Sequence, residues 1–208
     1  MSMRVSYSTI VVALISAACS PTVEQGLDDG ALVDALRQGG YVIVMRHARS
    51  PRERPDAQIA AAGNTDRERQ LDEEGQETAR SMGAALKALE IPIGDVLSSP
   101  TFRALETAQL LDLARAEPVT ELGEGGQGMQ EDTEGVRSAW LRAKAGERPR
   151  DGTNRLMITH FPNLVGAFGD AAADIADGES LIIEPDGGNA VVIGRVRIEQ
   201  WPELLAAE

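Results

Sequence analysis

The sequence has very little of three residue types that often decide how a small protein is built. Its 208 residues include one cysteine and two histidines, and aromatic side chains make up only 3% of the chain. A single cysteine excludes a disulfide within the chain, and the scarcity of aromatics leaves a core made mainly of aliphatic side chains. Long repeats and low-complexity tracts are also lacking, so the length suits one folded domain once a leader is removed.

Positive charge is in short supply as well. The chain carries 20 lysines and arginines against 33 acidic residues, which gives a formal net charge of −13. This balance argues against non-specific binding to nucleic acid or to anionic lipid, because both are polyanions. We therefore expect no nucleic-acid partner.

The amino terminus is typical of an export leader. One cation, Arg4, precedes a short apolar stretch at residues 10–15, and small residues follow it. That stretch is too short to span a bilayer as a helix, but it suits a signal peptide. We expect the signal peptide to occupy residues 1–18.

The only cysteine follows this stretch. Cys19 comes directly after small residues, which resembles the lipobox of bacterial lipoproteins, although Ser16 stands where that motif usually has leucine. The resemblance implies an acylated Cys19, which would anchor the chain to a membrane through a tether over residues 19–27. The folded domain would then cover residues 28–208 at the periplasmic face of a bacterial membrane. A periplasmic or secreted protein without the lipid, and an uncleaved anchor, are the alternatives.

The apolar patterning predicts an α/β fold. Helices are predicted over residues 28–38, 72–90, 101–114, 134–144 and 161–169. Strands are predicted over residues 41–45, 95–98, 117–120, 156–159, 180–183 and 189–198, with a hairpin turn at residues 185–188. Early alternation of strand and helix, followed by a hairpin, favours a three-layer αβα sandwich whose mostly parallel sheet has an antiparallel edge. The polar stretch over residues 49–70 is long for a compact domain, and long loops are often functional.

Both histidines follow apolar strand-like runs. His47 ends the run that begins at Tyr41, and His160 ends the run that begins at Leu156. Parallel strands present reactive side chains at their carboxyl edge, so the two imidazoles are candidates for one site. A neutral imidazole can attack phosphorus without a separate base, and Arg46 beside His47 suits a phosphate. A core histidine satisfied by backbone hydrogen bonds is the alternative for His47.

A second arginine is predicted close to these histidines. Arg103 falls in the first turn of the helix predicted from Thr101, and helix N-termini attract anions. A surface arginine paired with Glu106 is the alternative. As a cation, His160 could bind a phosphate oxygen. Zinc held by both histidines is the alternative there, although no carboxylate stands at ligand spacing.

Four sequence elements, in this order, resemble those of the histidine phosphatase superfamily, which has the phosphoglycerate mutase-like fold. They match its RHG/RHA signature, its R-x-L-T-x-x-G element, its SSPxxRxxxTA element and its second-histidine element. The matching residues are Arg46-His47-Ala48-Arg49-Ser50, residues 64–75, residues 98–108 and Thr159-His160. The chain is most similar to the small, phosphohistidine-phosphatase-like branch of that family.

The resemblance implies a role for each of these residues. His47 would be the phosphorylated nucleophile, and Arg46, Arg103 and His160 would complete the phosphate pocket without a metal or other cofactor. The family's proton donor would correspond to Glu124, with Glu121 as the second candidate. Arg69 is a further candidate for contact with the substrate, and a surface arginine is its alternative.

The predicted activity is a metal-independent phosphatase of the histidine acid phosphatase type. Its substrate would be a small phosphomonoester or phosphoramidate, and the missing insertions of larger mutases favour hydrolysis. Ala48 departs from the commoner glycine and is expected to add a methyl group near the pocket. Two other functions stay open: a phosphate- or phosphosugar-binding lipoprotein with a decayed site, and a surface interaction protein whose histidines are structural.

Overall fold

The structure is a computed structural model that describes residues 27–53, 64, 68–125, 132 and 135–207. The predicted leader, Cys19 and all of the tether except Leu27 lie outside these residues, as does much of the predicted polar loop. No helix within the described stretches is both long and apolar enough to cross a lipid bilayer. Export and acylation therefore stay predictions from the sequence.

One six-stranded sheet organises the domain. Its strands are β1 (Val42–Arg46), β2 (Ile93–Ser98), β3 (Ala116–Pro118), β4 (Asn154–Thr159), β5 (Ser180–Asp186) and β6 (Asn189–Val196). They lie side by side in the order β3-β2-β4-β1-β5-β6. The pairs among the first four strands are parallel, and β5 pairs antiparallel with both β1 and β6. This confirms the predicted parallel sheet with an antiparallel edge.

In the described part of the chain, six helices cover the sheet. They are α1 (Asp29–Gln38), α2 (Glu73–Ala88), α3 (Phe102–Leu111), α4 (Val136–Ala145), α5 (Phe161–Phe168) and α6 (Gln200–Ala206). Two of them begin at aspartates, because the Asp28 and Asp72 side chains each accept a backbone N–H three residues on, at 2.9 Å. Such caps satisfy N–H groups that a helix cannot bond within itself.

The central strand is buried on both faces. Ile43 and Met45 of β1 pack into an apolar cluster with α1, α2, α3 and α6. Val42 and Val44 point the other way, into a second cluster with α4 and α5. Alternate side chains of a strand face opposite sides of the sheet, so a continuous apolar run needs helices on both sides. The three-layer αβα sandwich is confirmed.

The largest differences from the sequence prediction lie near the carboxyl terminus. The hairpin turn is shorter than residues 185–188, because Pro185 and Asp186 still pair within the ladder and only Gly187 and Gly188 form the turn. Their φ angles of 57° and 97° are in the left-handed region that glycine adopts at low cost. Helix α6 was not predicted at all. Its fully buried Trp201 packs into the first cluster, a long-range contact that a seven-residue helix does not reveal through periodicity.

A glycine brings α2 close to the segment that follows β1. A Cβ at Gly75 would collide with the backbone of Arg49. Glycine at this position therefore lets the start of α2 pack directly against the residues that follow His47, which lies at the end of β1.

Candidate active site

The two histidines meet at one edge of the sheet. Strands β1 and β4 are parallel neighbours, and their register pairs Arg46 with Thr159. The next residues, His47 and His160, therefore leave the sheet side by side, with ring centroids 5.2 Å apart. The pairing of β4 with β1 therefore brings the two candidate imidazoles to one site.

His47 is buried and held in one orientation. Its Nδ1 lies 2.8 Å from the carbonyl oxygen of Ala48, which can only accept, so Nδ1 carries the proton. Nε2 then has a free lone pair, and it accepts from Arg103 Nε at 3.1 Å. Burial lowers the pKa of His47 to about 3, helped by the charges of Arg103 and Arg46 and opposed by the Ala48 bond. The ring is therefore neutral at ordinary pH.

Arg103 contacts both histidines and the candidate proton donor. It lies in the first turn of α3 and is completely buried, which rules out the alternative of a surface arginine. Its Nη2 contacts His160 Nδ1 at 3.0 Å and the Glu124 carboxylate. Burial lowers the pKa of Arg103 and the charge of Glu124 opposes that shift. Glu106, the partner in that alternative, instead accepts from the backbone N–H of Leu71 at 3.0 Å.

His160 is neutral, which corrects the expectation of an imidazolium. Its Nδ1 accepts from Arg103, so the proton is on Nε2, which donates to Ser99 Oγ at 2.8 Å. Burial and the nearby charge of Arg103 both lower the pKa of His160 far below its usual range. The same contacts oppose the alternative of a shared zinc, because the nitrogen lone pairs of His47 and His160 that face each other both accept from Arg103.

Arg46 forms hydrogen bonds and an ion pair with the segment at residues 175–179. Its Nη1 donates to the carbonyl of Ile175 at 3.2 Å, and its Nη2 lies 2.7 Å from the Asp177 carboxylate. Backbone groups of the same segment bond the main chain of Arg46 and His47. Burial raises the pKa of Asp177, and the charge of Arg46 opposes this rise. Sequence reasoning missed this segment, since no motif marks it.

The two candidate proton donors differ in position. Glu124 contacts Arg103, and its second oxygen lies 3.7 Å from His160 Nδ1. Glu121 lies in a single 3-10 turn, Thr120–Leu122, and is not among the residues that line the cavity over His47. The geometry therefore favours Glu124 as the carboxyl group of the site.

A cavity of about 560 Å³ opens over His47 and Glu124. Its lining includes Arg69, the candidate for contact with the substrate, and adds three residues that the sequence did not single out. The lining residues are Arg46, His47, Arg52, Arg69, Glu124, Phe161 and Pro162. Phe161 lies under the guanidinium of Arg46, 5.5 Å from ring centroid to Cζ. The cavity thus combines cationic groups with one apolar wall.

Two expectations about the pocket were wrong. The anion predicted at the start of α3 is a carboxylate of the protein itself, because Glu68 accepts the N–H of Phe102 at 2.8 Å. The methyl group of Ala48 is buried in the first apolar cluster and is absent from the cavity lining. The change from glycine therefore does not narrow the pocket.

The described part of the chain offers no obvious metal centre. Within it, no group of three or more histidine, cysteine, aspartate or glutamate side chains is arranged to hold an ion. The candidate site instead gathers two neutral imidazoles, one carboxylate and several guanidiniums. Such a set can bind an oxyanion, attack it with a nitrogen nucleophile and supply a proton.

Comparison with known proteins agrees with this chemistry. Residues 42–161 match the model of the histidine phosphatase superfamily (branch 1), and the chain belongs to that family. Membership supports a phosphatase, and so a hydrolase. Comparison with curated proteins found no significant match.

Solved structures show the same fold. The protein histidine phosphatase SixA complexed with tungstate is 23% identical, with a TM-score of 0.54 over 77% of this chain and 98% of that one. The ecdysone phosphate phosphatase EPPase from Bombix mori, also in complex with tungstate, is 15% identical. Its TM-score is 0.50 over 73% of this chain and 92% of that one.

Proposed function

We propose that the protein is a metal-independent phosphomonoesterase that forms a phosphohistidine on His47. The observation that carries this proposal is the state of that ring. Its proton is held at Nδ1 by the Ala48 carbonyl, and its Nε2 lone pair faces Arg103 at the edge of the cavity. A nitrogen nucleophile is thus deprotonated, oriented and placed beside a guanidinium that suits a phosphate oxygen.

The first half-reaction transfers the phosphoryl group to the protein. Nε2 of His47 attacks phosphorus, a P–N bond forms and the bond from phosphorus to the ester oxygen breaks. The ring gains positive charge, and its Nδ1–H bond to Ala48 favours that charge. Glu124, which takes up a proton when the phosphate replaces it at Arg103, protonates the departing oxygen.

The second half-reaction releases phosphate. Glu124, now a carboxylate, removes a proton from water while the water oxygen attacks phosphorus. The P–N bond breaks, inorganic phosphate leaves and His47 becomes neutral again. Arg46 and Arg103 bind the non-reacting phosphate oxygens in both steps, and His160 joins them as a donor once its Nδ1 takes up a proton from solvent, which the charge of the bound phosphate favours.

Two further arginines are placed to contact the part of the substrate outside its phosphoryl group. Arg52 and Arg69 line the cavity, and neither has an ion-pair partner among the described residues. Guanidiniums that have no ion-pair partner in the described part of a protein of net charge −13 favour an additional anionic group on the substrate. Phe161 and Pro162 offer it an apolar wall, so a small phosphorylated compound fits better than inorganic phosphate alone.

The test is phosphate release from para-nitrophenyl phosphate by the full chain. His47→Asn should abolish turnover, because asparagine keeps a donor for the Ala48 carbonyl but has no nucleophilic nitrogen. Thermal unfolding of both proteins shows whether the variant is folded. Turnover retained by a folded variant refutes the mechanism, and tungstate binding without any turnover by the unmodified protein would favour the phosphate-binding alternative.

The location of the protein is proposed from the sequence alone. Cys19→Ser should move the protein from the membrane fraction to the soluble fraction of a bacterial host if Cys19 is acylated. An unchanged distribution would favour a secreted protein or an uncleaved anchor.

A further inference from the structure

A buried amide lies next to the candidate proton donor, and no step of the proposed mechanism uses it. Asn163 is 3% exposed and lies in the first turn of α5, three residues after His160. Its Nδ2 donates to the carbonyl of Gly123 at 2.7 Å and lies 3.3 Å from the carbonyl of Leu122. One side chain therefore connects the helix that follows His160 with the segment that leads to Glu124.

Thr159 supports the same segment. Its fully buried hydroxyl donates to the carbonyl of Leu122 at 2.7 Å and lies 3.1 Å from the amide of Asn163. Local bonds of the 3-10 turn engage the N–H groups of Leu122 and Gly123. The two carbonyl groups, in contrast, are held by side chains from β4 and α5.

The bond from Asn163 to the Gly123 carbonyl affects the orientation of Glu124. This carbonyl belongs to the peptide group whose nitrogen is that of Glu124, so the bond from Asn163 fixes the orientation of that peptide plane. The Cα of Glu124 lies in the same plane, and its carboxylate reaches Arg103 and approaches His160. Rotation of the plane would swing the carboxyl group away from the leaving oxygen.

We propose that Asn163 is a positioning residue that aims Glu124 at the leaving group. This inference rests on the proposed function, because it assumes that Glu124 is the proton donor. Asn163 itself contacts neither the phosphate nor the nucleophile. Through Glu124 it affects both proton transfers, and only the first of them, to the departing oxygen, depends on the leaving group.

The dependence of the rate on the leaving group separates this role from a purely structural one. Para-nitrophenol leaves readily without a proton, whereas phenol and alcohols need one far more. Asn163→Leu keeps the side-chain volume and removes the donor. It should lower kcat/KM, which reports the phosphoryl transfer to His47, by about 10- to 100-fold for phenyl phosphate, with a several-fold smaller loss for para-nitrophenyl phosphate.

Three comparisons complete the experiment. Glu124→Gln should show the same selective loss, and the double variant should lose little more than Glu124→Gln alone, because both changes remove the same proton transfer. Asn154→Leu is the matched control. That amide is also fully buried in β4, but it donates to the carbonyls of Leu36 and Pro92 at the opposite end of the strand. It should lower stability without changing the ratio of the two rates.

The outcomes are distinct. Equal losses on both substrates in Asn163→Leu, or the same selectivity in Asn154→Leu, would overturn the positioning role. No selectivity in Glu124→Gln would refute Glu124 as the donor, and the role of Asn163 with it. If Asn163→Leu does not fold, the isosteric Thr159→Val removes the neighbouring bond, and a loss there without selectivity would also overturn the proposal.

Discussion

Replacing His47 by asparagine should make folding less sensitive to acid. Burial lowers the pKa of His47 to about 3 in the folded protein, against an ordinary value of 6.5. Between these two values the unfolded chain binds a proton that the folded chain does not. The stability that depends on this neutral ring is therefore complete above about pH 6.5 and is lost progressively as the pH falls.

The size of the effect follows from the two pKa values. Between pH 7 and pH 5 an unfolded histidine becomes almost fully protonated, while His47 stays neutral in the folded state. This difference lowers the unfolding free energy by about 2 kcal/mol. His160, whose pKa is also lowered by burial, adds a loss of the same sign.

Urea unfolding at pH 7, 6 and 5, in buffers without phosphate, measures this loss. The unmodified protein should lose about 2 kcal/mol more than His47→Asn over the range, because carboxylates and His160 are common to both proteins. A difference below about 0.5 kcal/mol would refute the burial of a neutral imidazole at this position. A difference in unfolding free energy that is the same at every pH would not test this burial.

Three further substitutions probe the surroundings of the site. Thr107→Val leaves the buried N–H of Ala48 without its acceptor, now 3.1 Å away, and should lower the unfolding free energy by about 1–3 kcal/mol; an unchanged urea midpoint would show that this bond does not stabilise the fold. Glu68→Ala removes the carboxylate that caps α3 and should cost about 1 kcal/mol, with circular dichroism and thermal unfolding as the measurements and no loss as the contrary result. Arg69→Ala should raise KM for a carboxylated phenyl phosphate about tenfold more than for phenyl phosphate. Arg80→Ala, on the exposed face of α2, should change neither KM, and equal effects of the two variants would argue against a second anionic contact.

The sequence was sufficient to predict the buried strands after which the two histidines lie. Residues 41–45 and 156–158, which lie shortly before His47 and His160, are apolar at every position, and a strand of that kind is stable only between two helical layers. Once both runs are parallel neighbours, the side chains that follow them must appear at the same edge of the sheet. Glu124, which the resemblance implied as the proton donor, lies against Arg103 in the structure.

Other features of the site depend on single contacts between residues far apart in the chain. Glu68 caps α3 from 34 residues away, and Asn163 holds the carbonyl of Gly123 from 40 residues away. Asp177 faces Arg46 across the antiparallel edge of the sheet. None of these contacts follows a periodic pattern or a fixed spacing in the sequence, so the local sequence does not predict them. The protonation state of His160 was mispredicted for a related reason, since it depends on complete burial and on the direction of one guanidinium.

Isolation of the covalent intermediate tests the central claim most directly. The full chain should be mixed with excess para-nitrophenyl phosphate, denatured within milliseconds at alkaline pH, where phosphohistidine survives, and digested for mass spectrometry. We predict one phosphoryl group, attached to His47, and none in the His47→Asn variant. Phosphate release at full rate without a modified peptide, or a phosphoryl group found on His160 instead, would contradict the mechanism.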